Sequence, residues 1–262
     1  MKYYLRIYGL VIAQHFKSKM AYRVDFFISI IGMIGTQFVS LFALWILFQS
    51  IENIDDWNKW EILFLYGFAQ FAMFPAQLCL DHCWQLGNHL QSGTFLKYYM
   101  RPLNSLFYFL SEVFDVKAIS QLISAIICTS IAISNMAFEW SIVDVLLYVY
   151  LLFFASLIYT SMLLIASISG FWITASNPVI QFTHRLRDYS HFPMSVFSDG
   201  FKFLFTFVLP VGLIAYYPVN LILNGGNIFL SVGALTIASI AFITLAYYLW
   251  LKGTARYEGT GS

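Results

Sequence analysis

The stretch DHCWQLGNH, residues 81–89, brings Asp81, His82, Cys83 and His89 within nine positions. Carboxylate, imidazole and thiolate are the groups that hold zinc or iron. Their spacing matches no common metal site. All four lie at the edge of an apolar run, where polar residues belong, so no metal is expected. Cys79, Cys83 and Cys128 show neither zinc nor disulfide spacing and read as packing residues. Other chemistries are equally unsupported. There is no HExxH and no GxSxG, and SISG at 167–170 has the wrong order for a nucleophile elbow. GxxxxGK[ST] is absent, so the chain has no P-loop with which to cradle ATP. No catalytic residue is expected, and the chain does not read as an enzyme. His15, His184 and His191 are scattered and read as interfacial residues.

A different kind of polar residue lies inside the apolar runs. Gln37, Gln70, Gln77 and Gln121 fall in mid-run. Gln70 and Gln77 are seven apart and share a helix face beside Pro75. Such amides serve either as hydrogen-bonding glue between helices or as the lining of a translocation path. No Asp, Glu, Lys or Arg is expected near the centre of a run. That weakens a carrier driven by ions, which holds an ionisable residue at mid-membrane.

The elements that position these residues follow from composition. The chain of 262 residues is 60% hydrophobic and 10% charged. A soluble domain carries about 25% charged residues, so much of this surface must face lipid. Aromatics reach 19%, and many Trp and Tyr flank the apolar runs, as at a headgroup layer. The net charge of +1 carries no basic stripe for nucleic acid.

Charge-free runs cover residues 26–51, 62–80, 118–138, 145–184 and 203–251. The last holds two segments divided at YYPVNLILNGGN, whose Pro218, Asn220 and Asn224-Gly225-Gly226 read as turn formers. The 145–184 run reads as one long helix or as a span plus an interfacial segment from SISGFW; one span is favoured. The result is an all-α membrane protein with six spans, at about 26–49, 61–80, 117–135, 141–166, 201–217 and 228–250. Pro75 and Pro210 are expected to kink their helices. With both termini inside, 1–25, 81–117, 175–202 and 252–262 are cytoplasmic. These hold every Lys and Arg except Lys59, the bias of the positive-inside rule. The first run is long enough to span, so it is expected to stay in the membrane. Residues 1–25 mix basic and apolar residues and read as an amphipathic helix along the inner interface.

The loop LQSGTFLKYYMRPLN, residues 90–104, lies on the inner side. Gly93 allows a sharp approach, and Thr94 can cap a short helix. The helix is expected over Phe95–Met100, ending before Pro102. Phe95, Tyr98 and Tyr99 then share a face, flanked by Lys97 and Arg101. That face meets either lipid headgroups or a socket on a soluble partner.

SGTFLKYYMRPLN resembles the first cytoplasmic loop of permease subunits of type-two ABC exporters, in the branch with a Gly-x-aromatic and Arg-Pro-Leu pattern. YRVDFF, with Tyr22, Arg23, Asp25 and Phe26, resembles that branch's approach to its first span. HFPMSVFSDGFKFLFTFVLPVGLIAYYPVNLIL resembles its fifth-span region. The resemblance implies a permease half that pairs with a second half, alike or different. It also implies two cytoplasmic ATPase subunits, which bind the ATP and Mg²⁺ and dock on the loop as a coupling helix. The Gly93–Tyr99 segment with Arg101 and Pro102 would make that contact. The chain departs from the branch at Leu96, where an acidic residue is expected, so a salt bridge from that position to the ATPase is in doubt. The alternatives are a stand-alone secondary transporter or channel-like protein, or a non-transporting membrane scaffold. The plasma membrane is the expected location.

Overall fold

The computed structural model describes residues 23–50, 53–54, 57–100, 104–113, 115, 118–174 and 176–257. Tyr22, Arg101 and Pro102 lie outside them, as does nearly all of the expected 1–25 helix. Arg23 and Asp25 open the first helix, and there only the backbone is described.

Twelve helices carry the described chain. Helix α1 is Arg23–Ser50. A two-residue hairpin pairs Ile54 with Trp57 and leads into α2, Lys59–Cys79. A 3₁₀ turn at Asp81–Gln85 runs into α3, Leu86–Gln91. The one-turn α4 is Leu96–Tyr99, and α5 is Ser105–Ser111. Next come α6, Ala118–Asn135, and α7, Ile142–Ile168 with a 3₁₀ extension to Phe171. Helix α8 is Asn177–Tyr189. Beyond it are α9 at Asp199–Phe203, α10 at Val211–Ile214, α11 at Tyr216–Asn224 and α12 at Leu235–Arg256. Among the described residues four helices are long and apolar enough to cross a membrane: α2, α6, α7 through Phe171, and Phe229–Arg256. Helix α1 adds a shorter apolar stretch, Phe27–Ala43.

Local chemistry sets the helix starts. Asn58 accepts from the Trp60 and Glu61 backbone N–H groups at 2.9 and 3.0 Å, and Glu61 accepts from the Asn58 N–H at 2.9 Å. Ser141 and Asp144 make the same reciprocal box on α7. Helix α2 is the centre of the bundle, buried over most of its length from Ile62 to Ala76 and packed on α6 and α7. Gly67 sets how close α6 comes. A Cβ there would collide with Thr129 Oγ1 and lie 3.1 Å from the Thr129 nitrogen and 3.3 Å from the Ala125 carbonyl oxygen. Small residues let membrane helices approach in this way.

Two expectations need correction. The 201–217 region is not one kinked helix. A π turn at Leu204–Val208 ends at Leu209, and helix resumes only beyond Pro210. Proline lacks the N–H and clashes with the preceding turn, so the chain breaks there. In contrast, helix α2 runs on through Pro75. YYPVNLILNGGN is not mainly a turn either. Pro218 sits in the first turn of α11, where its missing N–H costs nothing. The turn is confined to Gly225 at φ 63°, with the Gly226 N–H donating to the Asn220 carbonyl at 3.0 Å.

Gly67→Val overfills the α2–α6 contact. It is expected to destabilise the protein by about 1–3 kcal/mol, seen as a lower melting temperature in detergent. An unchanged melt would mean that α6 moves away freely.

Candidate functional site

The loop at residues 90–104 is built around two aromatic side chains that point into the fold. Gly93 turns the chain at φ 73°, a conformation that disfavours any side chain. The Thr94 hydroxyl does not cap α4. It bonds His89 Nδ1 at 2.8 Å and Ser92 Oγ at 2.9 Å, tying the turn to the end of α3. The helix cap is Phe95, without a side-chain bond. Phe95 and Tyr98 are fully buried. Phe95 sits edge-on to Phe171 and Trp250, with centroids at 5.3 and 5.9 Å, and against Tyr257 at 5.1 Å. Trp250, itself buried, packs on Phe109 of α5 and donates to Ser105 Oγ at 3.0 Å. One turn of helix therefore locks together α5, the end of α7 and the end of α12.

Polar contacts finish the clamp. The Tyr98 hydroxyl donates to Glu112 Oε2 and meets His82 Nε2 at 2.7 Å. Lys97 Nζ donates to Glu112 Oε1 at 2.6 Å. Burial alone would raise the Glu112 carboxyl. The bonds from Lys97 and Tyr98 and the Lys97 charge outweigh it and hold the carboxyl below its ordinary value. Burial and the bond to Glu112 raise the Tyr98 hydroxyl, so it remains a donor. Burial, then the Lys97 charge, lowers His89. His82 and His89 do meet, with ring centroids 5.1 Å apart. Among the described residues, however, no three metal-binding side chains converge.

The outer side of α4 is different. Leu96 is 41% exposed, Tyr99 60% and Met100 80%. The expectation that Phe95, Tyr98 and Tyr99 form one outward face is therefore wrong for the first two. The i, i+3, i+4 spacing does define a face, but aromatic residues of α5, α7 and α12 cover most of it.

A second polar feature lies beside the middle of α1 and α2. Gln70 Nε2 donates to Gln37 Oε1 at 2.9 Å and to the Tyr66 hydroxyl at 2.7 Å. Tyr66 in turn donates to Gln37 Oε1 at 3.1 Å, and Gln121 Nε2 donates to Gln70 Oε1 at 2.8 Å. Three of the four glutamines thus form one chain across α1, α2 and α6. Gln77 lies apart and donates to Asp115 Oδ2 at 3.4 Å. The amide chain borders a cavity of about 370 Å³, whose other wall is the end of α8 with Arg187, Asp188 and His191. The His191 ring packs on Tyr66, with centroids 4.6 Å apart. His184, seven residues earlier, stacks on Trp84 and meets the Tyr159 hydroxyl at 3.1 Å. Helix α8 packs along α7. Part of the expected 175–202 connection is thus a helix packed on α7, and its Arg187 and Asp188 border the same cavity as Gln37 and Gln70. His184 and His191 are packed in the bundle, not scattered at its edge.

The family model described as ABC-2 family transporter protein matches residues 34–261. The chain belongs to the ABC-2 transporter family. Comparison with curated proteins and with solved structures finds no match. Membership makes the chain a multi-pass integral membrane protein and the permease component of an ABC transporter, a family that works with ABC ATPase subunits.

Several parts of this ABC-2 permease escaped the sequence reading. Glu112 lies fifteen residues from the lysine it pairs with, and nothing local marks it. Arg187 and Asp188 looked like loop residues because α8 is short and polar, and His191 follows just beyond its end. The carboxylate expected at Leu96 is absent, and Glu112 brings one to the loop's own Lys97 instead.

Phe95→Ala empties the aromatic socket. A loss of about 3–5 kcal/mol is expected, read as a lower melting temperature, which a purely headgroup-facing residue would not give. The loop should also be acid-sensitive. Glu112 and His89 both bind protons less readily in the fold than in an opened loop, so stability falls as pH falls. The loss starts near 6.5, the ordinary histidine value. It deepens below 4.5, the ordinary glutamate value, as the folded Glu112 protonates. Hydrogen exchange of residues 94–100, corrected for intrinsic rate, should rise from pH 7 to 4. Glu112→Gln should flatten the lower part of that rise.

Proposed function

We propose that this chain is one permease half of an ATP-driven ABC exporter. It has six spans with both termini inside the plasma membrane, and α1, α2, α6, α7, the broken run 199–224 and α12 make the crossings. Residues 1–25, with Tyr22, Arg23 and Asp25 at their end, form an interfacial elbow. A second permease half, identical or paralogous, completes the path, and two cytoplasmic ATPase subunits bind the ATP and Mg²⁺.

The observation that carries this reading is the two-sided α4. Its inner side is fastened to three other elements, while Leu96, Tyr99 and Met100 project outward. A rigid element with a small apolar outer face can seat in a partner's groove. It can also pass that partner's movement to α5, α7 and α12, as a rigid-body switch requires. ATP binding then shifts the permease between two arrangements. Arg101 and Pro102 belong to the same docking segment. The absence of a carboxylate at Leu96 makes the contact apolar and suits one member of an unlike permease pair.

The test follows from the two sides. Leu96→Asp combined with Tyr99→Ala and Met100→Ala should leave the melting temperature unchanged. It should cut ATPase stimulation at least tenfold in the complex reconstituted with its cognate ABC ATPase. Wild-type assembly and stimulation in this variant would rule out the coupling role. Phe95 and Tyr98 are unsuitable for the test, because removing them damages the fold itself.

A further inference from the structure

The cavity between α1, α2 and the end of α8 has the size of a small-molecule pocket, about 370 Å³. Its charged groups are one cation and one anion side by side. Arg187 Nε lies 3.4 Å from Asp188 Oδ1, and the Asp188 side chain is 62% exposed. The pair is loose, open at one side, and carries no net charge. Around it stand the Gln37 and Gln70 amides and the Tyr66 hydroxyl. His191 Nε2 is buried and has no hydrogen-bond partner among the described residues. A buried polar atom without a partner is costly, and a ligand that reaches it removes that cost.

We propose that this cavity binds the zwitterionic head of an amphiphile, an ammonium against Asp188 and an acid group against Arg187. The reasoning is electrostatic. A cavity that offers one cation and one anion is complemented best by a ligand that carries both charges. A ligand with one net charge would leave this pair unbalanced, while a zwitterion replaces one loose ion pair with two and keeps the sum at zero. The His191 nitrogen and the amides complete the head's hydrogen bonds. Beside the cavity α1 presents exposed Phe38, Val39 and Phe42, a surface that suits an apolar tail. The inference rests on the permease reading, since it names what the path would take.

Binding to the purified permease in nanodiscs needs no ATPase. Failure of α4 to couple would therefore leave the result untouched, and the two proposals can fail separately. The probes are lysophosphatidylethanolamine, lysophosphatidylglycerol with the same acyl chain, an alkylamine of similar length, and the dipeptide leucyl-phenylalanine. The zwitterionic lipid should bind saturably, at least tenfold more tightly than the anion-only and cation-only amphiphiles. Arg187→Gln and Asp188→Asn should each weaken it at least tenfold. Ala43→Phe, which fills the cavity from an exposed position of α1 and leaves both charges in place, should do the same without lowering the melting temperature. If the dipeptide binds at the same site and the lipid does not, the recognised zwitterion is a soluble one and the amphiphile proposal is overturned. If only the lipid binds, it is a headgroup. Equal binding of all three amphiphiles, no binding of either zwitterion, or wild-type affinity in Ala43→Phe would overturn the proposal.

Discussion

The arrangement depends on how closely α2 and α6 approach at Gly67 and Thr129. Without a side chain at Gly67, two helix backbones come near enough for short amides to bridge them. Gln70, one turn away, then reaches Gln121 on one side and Gln37 on the other. Helix α1 is mostly exposed along its apolar face, so the Gln37 bonds are a principal tether to the bundle. In lipid such bonds contribute on the order of 1 kcal/mol each. Their larger effect is to fix rotation and depth.

The loop that carries α4 obeys a second constraint, opposite in character. The amide chain is sparse and polar, whereas the loop is held by ring against ring. Phe95, Tyr98, Phe109, Phe171 and Trp250 come from segments up to 155 positions apart and make one cluster. Such a cluster resists compression, because packed interiors have few voids to take up strain. Glu112 closes it by joining Lys97 and Tyr98. The contrast explains why a single helical turn, too short to be stable alone, is well defined here.

Much of this was legible in the sequence, and the reasons for the exceptions are physical. Charge-free runs located the long apolar helices because hydrocarbon excludes charge. Gly93 announced a turn because few other residues adopt positive φ. The sharing of a face by Phe95 and Tyr98 was also legible, but periodicity cannot say what lies opposite a face. The covering rings come from Phe171 and Trp250, far along the chain. The packing of the α8 charges was hidden for a related reason. Charge bias along the chain cannot show that a short helix packs on α7. Pro210 was seen as a kink and is a break, because the chain on its far side starts new helices and does not continue the old one.

The amide chain also bears on the order in which the molecule can be made. Gln37, Gln70 and Gln121 all leave the ribosome before Arg187 and Asp188. Their side chains already bond one another, so α1, α2 and α6 can associate before α8 exists. Arg187 and Asp188 then arrive against a surface already supplied with polar groups. A substitution that breaks the amide chain would thus act during biogenesis as well as in the mature protein. It would withdraw the polar surface on which the late-arriving charges settle.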